Sequence, residues 1–317
     1  MTVTVRSFAK INLGLRIGAR REDGFHELLT VYQTIGLHDV IRVSPGRGSG
    51  IEIRCGDPRV PKDESNTCYR IVEKALHTLK IKKRILIEIE KRLPVQGGLG
   101  GASSNAVATV LALERALKKS LSAERRLSLA AEVGSDLPLF LLGGTMLGLG
   151  RGEEVYPLED LPPIACVVVT PEVGVSTPKA FAEWDRKLTV PVASDRMVEL
   201  GCGLSAWLGE SYSGAPFRRG RRENPLLELV RAGIKNDFEE VVFPEYPELS
   251  AVKKALERAG AKYASLSGSG SVLYGLFASK EAARTAATEL RKRGWAAQAT
   301  VTLPRREYWK KFLVSSF

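Results

Sequence analysis

Residues 94–105 read P-V-Q-G-G-L-G-G-A-S-S-N, with glycine at positions 97, 98, 100 and 101. Upstream, Ile85 to Lys91 alternates like a strand, and downstream Ala106 to Ala116 reads as an apolar helix that runs to about Lys119. A strand feeding a glycine loop feeding a helix start is an arrangement that cradles phosphate. Glycine lets backbone N–H groups turn toward a polyanion at close range. The first turn of a helix adds unpaired N–H groups and the positive end of its dipole. Ser103, Ser104 and Asn105 suit an N-cap, and their side chains could equally bond phosphate. The stretch is no Walker A motif, because no G-K-[ST] closes it, and the G-x-G-x-x-G spacing of dinucleotide sites is absent. A tight strand–helix turn would need about two glycines, so four followed by Ser-Ser-Asn point to phosphate.

The 317 residues predict two domains of ordinary size, with hydrophobic residues at 44% and charged residues at 26%, a normal globular composition. The composition shifts at 158–163, which predicts domains over 1–160 and 161–317. Cys55, Cys68, Cys166 and Cys202 are scattered without C-x-x-C spacing, and His26, His38 and His77 do not cluster. That predicts free thiols in a reducing compartment and no zinc site. With no apolar run of membrane length and no signal-peptide core at the start, the chain reads as cytoplasmic. The net charge of +11 is dispersed, and its densest run, Arg218–Arg222, reads as an exposed loop. Steering of a polyphosphate substrate accounts for such a surface. Neither nucleic acid nor a membrane is the expected partner, and a monomer or weak homodimer is expected.

Within the first strand, residues 2–17, Lys10, Asn12 and Gly14 share one face, opposite Ile11, Leu13 and Leu15. Lys10 is either on a solvated face or a cation aimed at a phosphate or a reacting hydroxyl. Asp23-Gly24 marks a turn. Phe25 and His26 after it either pack a hairpin tip or stack on a base and bond its edge. Short strands follow at 28–35, 40–43, 51–54 and 85–90, and helices at 67–79 and 123–133. Ser65 or Asn66 caps the first of these helices, or Asn66 meets a ligand. Asp136, in G-S-D-L-P-L-F, is a helix N-cap with Pro138 in the first turn, a partly desolvated carboxylate suited to general-base work, or both. The five glycines of 143–152 read as strand and turn. Beyond them come a buried strand at 165–170 and a helix capped by Ser176 or Thr177. The Gly/Arg-rich segment 201–222 has little pattern. An acidic helix follows Asn236-Asp237-Phe238, and a helix over 250–260 ends in a glycine stop. A strand–turn–strand over 264–277, a basic amphipathic helix over 280–293 and a strand over 295–303 complete the order. The aromatic, basic tail 309–317 carries no assignable role. Mixed strands and helices predict an α+β chain of sandwiches, not a doubly wound sheet.

Five pieces occur in order: S-F-A-K-I-N-L (7–13), D-G-F-H-E-L (23–28), the 94–105 loop, G-S-D-L-P-L-F (134–140) and L-S-G-S-G-S (266–271). Together they resemble the GHMP kinase superfamily, which includes galactokinase and the homoserine, mevalonate and phosphomevalonate kinases. Within it they resemble the branch acting on 4-diphosphocytidyl-2-C-methyl-D-erythritol in non-mevalonate isoprenoid biosynthesis. The resemblance implies an N-terminal domain of the ribosomal S5 domain 2-like type, a C-terminal α/β sandwich domain, and an active site in the cleft between them. It implies ATP-dependent phosphorylation of the substrate's 2-hydroxyl. Asp136 resembles the catalytic base and Lys10 the catalytic lysine. Pro94, Val95, Gln96, Gly97, Gly98, Leu99, Gly100, Gly101, Ala102, Ser103 and Ser104 would hold ATP phosphates, with Mg²⁺ bridging their oxygens. Asn66 and Lys91 would lie near adenine. Phe25 and His26 would lie on the cytosine side with Phe181 across from them. Asn12, Thr177 and the turn Gly268, Ser269 and Gly270 would complete the substrate and phosphate contacts.

Three positions depart from the pattern: Phe25 where the family often has tyrosine, Ala102 where many members have glycine, and a longer, more basic 201–222. Two other readings compete. One is a homoserine- or mevalonate-type kinase, which has no use for an aromatic–histidine pair suited to a base. The other is a basic RNA-binding protein on an S5-like domain, whose binding would be steeply salt-dependent.

Overall fold

The computed structural model describes residues 1–95, 97–187, 198, 201, 202 and 234–314. Its spine is an antiparallel ribbon of β1 (Val3–Arg20) and β2 (His26–Gly46), in register from Val3↔Val43 to Arg20↔His26. Sequence periodicity predicts the first as one strand over 2–17 and the second as two pieces, 28–35 and 40–43, because Gly36, His38 and Asp39 interrupt the apolar pattern. The ribbon runs through all of them. β-Bulges between Phe8 and Lys10, Asn12 and Gly14, and Ile17 and Arg20 absorb the breaks in alternation.

The far edge of β2 carries two strands in succession. β4 (Arg84–Glu90) pairs with residues 40–46, and β5 (Thr145–Leu149) pairs with residues 30–33. β3 (Gly50–Cys55) adds to β4 in parallel, and β6 (Glu154–Pro157) adds to β5 antiparallel, making six strands. Helices α1 (Thr67–Leu79), α2 (Gly101–Leu117), α3 (Ala123–Val133) and α4 (Leu137–Leu142) pack with this sheet. Val5, Ile41, Ile85 and Ile87 meet Ile71, Val107, Val110 and Phe140 in their common core. Helix α2 is buried from Ser104 to Glu114. That explains an apolar run without a polar stripe.

A second sheet is fully antiparallel in the order β10-β7-β9-β8. Its strands are β7 (Ala165–Thr170), β8 (Tyr263–Leu266), β9 (Leu273–Phe277) and β10 (Ala296–Val301). Helices α5 (Thr177–Lys187), α6 (Glu239–Glu245), α7 (Pro247–Arg258) and α8 (Lys280–Lys292) supply its apolar cover. Ala283, Ala286, Ala287 and Leu290 form the buried stripe of α8, as its amphipathic pattern predicts. The expected α+β class is therefore the observed one. Among the described residues no helix is long and apolar enough to cross a membrane.

The two sheets share the ribbon. Ile11, Leu13, Leu29 and Val31 pack against Cys166, Val168, Val272 and Tyr274 of the second sheet and its turn. The Tyr274 and Tyr263 hydroxyls donate to the carbonyls of Asn12 (2.8 Å) and Leu13 (3.0 Å). Leu15 exchanges backbone bonds with Lys235 and Asp237, both 2.9 Å. One face of β1 is thereby sealed, which leaves Lys10 and Asn12 facing the other way.

The tail also acquires a place. Helix α9 (Arg305–Phe312) returns to the first core. Tyr308 donates its hydroxyl to Phe140 O (2.8 Å), and Trp309 donates Nε1–H to Leu142 O (2.9 Å). Phe312, 1% exposed, sits in the first core. Phe312→Ala should therefore lower stability by about 3–5 kcal/mol, read as a fall in the urea midpoint. Trp309→Phe loses one hydrogen bond and should cost about 1 kcal/mol.

Candidate active site

A cleft of about 840 Å³ runs between the glycine loop, β1, the turn after β8 and the start of α5. Gly97, Gly98 and Gly100 have φ of 147°, 83° and 68°, conformations that side chains rarely adopt. Three bonds hold the loop. Lys10 N donates to Leu99 O (3.0 Å), Val272 N to Gly97 O (3.1 Å), and Ser267 Oγ to Gly98 O (2.8 Å). A Cβ on Gly98 would fall 1.9 Å from Ser267 O, so the glycine is demanded by this close approach as well as by its φ.

Helix α2 starts at Gly101, earlier than its apolar run suggests, and Gly100 occupies the cap position. Ser103, Ser104 and Asn105 are thus helical and not caps. Gly101, Ala102 and Ser103 line the cleft at the N–H end of this helix. Ser104 does not reach the cleft, against expectation. It is buried, and its Oγ donates to Phe8 O (2.6 Å) and lies 2.7 Å from Ser7 Oγ. Gln96 lies outside the described residues, as do residues 203–233, which include Arg218–Arg222.

Lys10 is 3% exposed. Its Nζ donates to Asn12 Oδ1 (2.7 Å) and stands 3.5 Å from Asp136 Oδ2. Asn12 Nδ2 donates to Thr30 Oγ1 (2.8 Å), which donates to Gly14 O (2.7 Å). This chain fixes the Asn12 amide with its oxygen toward the ammonium. The solvated-face reading of Lys10 fails, since the cation lies against the cleft. Asp136 precedes α4, but its side chain makes no capping bond. Its carboxylate, 31% exposed, faces Lys10 and Tyr32, whose hydroxyl is 3.3 Å from Oδ1. Asp136 thus occupies the N-cap position with Pro138 in the first turn, as read, while its carboxylate caps nothing and faces the cleft.

Buried Asp39 accepts from Lys91 Nζ (2.6 Å), Arg92 N (2.7 Å) and Leu93 N (2.7 Å). It anchors the chain where β4 turns into the glycine loop. Lys91 lines the cleft with its charge already paired. Asn66 also lines the cleft, but its amide is committed at both ends. Oδ1 accepts from Cys68 N (2.8 Å), capping α1, and Nδ2 donates to Pro61 O (2.6 Å).

At the other end Phe25, 52% exposed, lines the cleft with the Arg151 guanidinium 5.0 Å from its ring centre. His26 is buried, with Nδ1 3.2 Å from Gly18 O and Nε2 3.0 Å from Asp185. Phe181 stacks directly on His26, with centroids 5.2 Å apart and planes 5° from parallel. No flat base fits between rings in contact. The Phe181 ring therefore faces His26 here, and the imidazole cannot bond a base edge without releasing Gly18 or Asp185. Thr177 Oγ1 lies 2.7 Å from Ser269 Oγ, and the Gly268–Gly270 turn lines the cleft beside Asn12. Asn236 Nδ2 holds that turn through Leu266 O and Gly268 O, both at 2.8 Å.

The structure thus gathers in one cleft Lys10, Asn12, Phe25, His26, Asn66, Lys91, Pro94, Val95, Gly97 to Ser103, Asp136, Thr177, Phe181 and Gly268 to Gly270. Sequence reasoning missed Tyr32, Asp39, Arg151, Asp185 and Ser267. Asp39 leaves a trace, a carboxylate before the apolar run 40–43. Tyr32 looks like an ordinary strand aromatic. The assembled groups can cradle phosphates, set a cation and a carboxylate at one point beside them, and present an exposed aromatic to a second ligand moiety.

Comparison with known proteins finds the GHMP kinases N terminal domain over residues 66–144 and the GHMP kinases C terminal domain over 220–295. A 4-diphosphocytidyl-2-C-methyl-D-erythritol kinase from Solibacter usitatus is 38% identical over 280 residues, 88% of this chain and 82% of that protein. One from Desulfitobacterium hafniense is 36% identical over 304 residues, covering 96% and 97%. The crystal structure of a 4-(cytidine 5'-diphospho)-2C-methyl-D-erythritol kinase superposes with a TM-score of 0.72 at 31% identity, covering 94% of this chain and 98% of that one. A homoserine kinase from Cytophaga hutchinsonii has a TM-score of 0.67 at 24% identity, covering 96% and 95%, a likeness of fold.

The tight packing of Gly98 gives a direct check. Gly98→Ala forces the loop off the Ser267 carbonyl and should weaken ATP binding about tenfold or more, measured by calorimetric titration. At Gly101 the nearest atoms to a Cβ would be Lys91 Nζ at 3.3 Å and the Leu93 side chain at 3.6 Å, looser contacts than those at Gly98. Gly101→Ala should therefore change the affinity by about threefold or less.

Proposed function

The chain belongs to the 4-diphosphocytidyl-2-C-methyl-D-erythritol kinase family of the GHMP kinases, and we propose that it transfers the γ-phosphoryl group of ATP to the 2-hydroxyl of that same cytidyl substrate. The observation that carries this reading is the buried Lys10 ammonium beside the Asp136 carboxylate, at the mouth of the glycine loop and in one cleft with Phe25 and His26. The place in the cell that follows is the cytoplasm and non-mevalonate isoprenoid precursor synthesis. Four free thiols agree with the reducing compartment.

The geometry supports the following roles. N–H groups of the glycine loop and of the first turn of α2 take the ATP phosphates. Asp136 accepts the proton of the substrate hydroxyl as its oxygen bonds to Pγ. The bond from Pγ to the bridging oxygen breaks, and ADP carries the electrons away. Lys10 offsets the negative charge that gathers on the attacking oxygen and the transferring group. Asn12 and Thr30 hold that ammonium in place. The Phe25 face takes the cytosine, stacking worth about 1–3 kcal/mol. Thr177, Ser269 and the Gly268–Gly270 turn bound the substrate path, and Asn66 and Lys91 bound the adenine end.

Among the described residues no group of three or more His, Cys, Asp or Glu could cage a metal. Mg²⁺ carried on nucleotide phosphates needs only one or two protein oxygens. The Ser103 hydroxyl, in the first turn of α2 and lining the cleft, fits that demand. When bound, the ion would neutralise phosphate charge. A division into an ATP-binding part over 1–160 and a second part over 161–317 is supported by the gap between β6, ending at Pro157, and β7, beginning at Ala165, although α9 of the second part packs into the first core.

ATP consumption should be strong with the cytidyl substrate and near background with homoserine or mevalonate. Equal or greater turnover of either competitor contradicts the substrate assignment. Asp136→Asn should lower kcat by about a thousandfold or more with ATP affinity retained. Near-normal turnover removes Asp136 as the base.

A further inference from the structure

Asp136 has two carboxylate oxygens, and each has its own partner. Oδ2 faces the Lys10 ammonium at 3.5 Å, and Oδ1 faces the Tyr32 hydroxyl at 3.3 Å. Its side chain makes no bond to the helix that it precedes. Rotation of the carboxylate is therefore opposed by Lys10 on one side and by Tyr32 on the other. The Tyr32 ring also stands 5.5 Å from Lys10 Nζ, so one side chain touches both groups that the proposed reaction uses.

The fold is built to seat this ring. Tyr32 pairs with Asn12 across the ribbon, on the face that carries Lys10. On its other edge it pairs with Met146 of β5. A Cβ on Gly148 would lie 2.4 Å from Tyr32 Cε2, and one on Gly152 would lie 2.4 Å from Tyr32 Oη. Two glycines of the 143–152 stretch, read from the sequence as strand and turn, thus make room for the Tyr32 ring and its hydroxyl. The hydroxyl's single hydrogen has Asp136 Oδ1 as its nearer acceptor, with Gly152 O (3.4 Å) as the alternative. Burial, then the Asp136 charge, push the phenol well above its ordinary value, which keeps it a donor.

We propose that Tyr32 is a positioning residue for phosphoryl transfer: its phenol holds Asp136 Oδ1 so that Oδ2 is presented, beside Lys10, to the acceptor hydroxyl. The inference rests on the reading of Asp136 as the base. A phenylalanine would keep the ring, its packing and its place beside Lys10, and would lose only the hold on the carboxylate. The interaction acts on the reacting geometry and not on either substrate, so its loss belongs in kcat.

Tyr32→Phe should lower kcat about tenfold, with KM for ATP and for the cytidyl substrate within about twofold of wild type. Gly152→Ala crowds the hydroxyl at 2.4 Å but the ring carbon Cζ only at 3.7 Å. It should therefore lower kcat in the parent chain and have a smaller effect in the Tyr32→Phe chain. A third readout is independent of turnover. With ¹³C-labelled aspartate, the Asp136 carboxyl resonance, identified by its loss in Asp136→Asn, should move in Tyr32→Phe with no substrate present. A kcat within about twofold of wild type, or a loss confined to KM, overturns the proposal. So does an unmoved Asp136 resonance. If the wild-type chain turns over none of the cytidyl substrate, the substrate reading fails instead, and the resonance alone decides the role of Tyr32.

Discussion

A cation held out of water is the constraint on which the site depends. Removing an ammonium from solvent costs several kcal/mol unless oxygen atoms replace the water. Lys10 finds that replacement in Asn12 Oδ1 and the Asp136 carboxylate. Each of these is itself held. Asn12 is oriented by Thr30, which is tied to the Gly14 carbonyl, and Asp136 stands against Tyr32. The result is a positive charge prepared in advance in the cleft, the kind of fixed charge that stabilises developing negative charge without reorganisation.

The long ribbon exists to make this possible. One face of β1 is sealed by the second sheet through Ile11 and Leu13, so the alternation of the strand turns Lys10 and Asn12 the other way. The same strand supplies the Lys10 N–H that holds the Leu99 carbonyl. The glycine loop is thereby fixed on one side to β1. On the other side Val272 and Ser267 fix it to the second sheet and its turn. The glycine loop, Lys10 and Asp136 are thus held in one connected frame. Helix α9 closes that frame by carrying Tyr308 and Phe312 back from the chain end into the packing of the first half.

Local chemistry was legible in the sequence wherever a backbone signal was strong. The strand–loop–helix order around the glycine cluster, the Asp23-Gly24 turn, the α1 and α3 limits and the strand at 165–170 all emerge as read. The pairing of Lys10 with Asn12 on one strand face also follows from simple alternation. Long-range choices were not legible. Nothing local says that Ser104 turns inward to the Phe8 carbonyl, because its partner lies on another strand. Asp39 is an acid whose three partners arrive from residues 91–93. The stacking of Phe181 on His26 depends on how α5 docks, and no periodicity encodes that. The resemblance to a kinase family supplied roles for residues, but it could not show which side chains were already engaged by the protein.

The account turns on Lys10 acting by its charge. The most direct measurement is turnover of Lys10→Met at saturating ATP and cytidyl substrate, in protein whose melting transition matches or exceeds that of the wild type. Methionine keeps much of the length and removes the ammonium, so a fold that gains or loses little is expected. The predicted result is a fall in kcat of about a hundredfold or more. A kcat within about threefold of wild type would contradict the claim that this buried cation is what the site is built around.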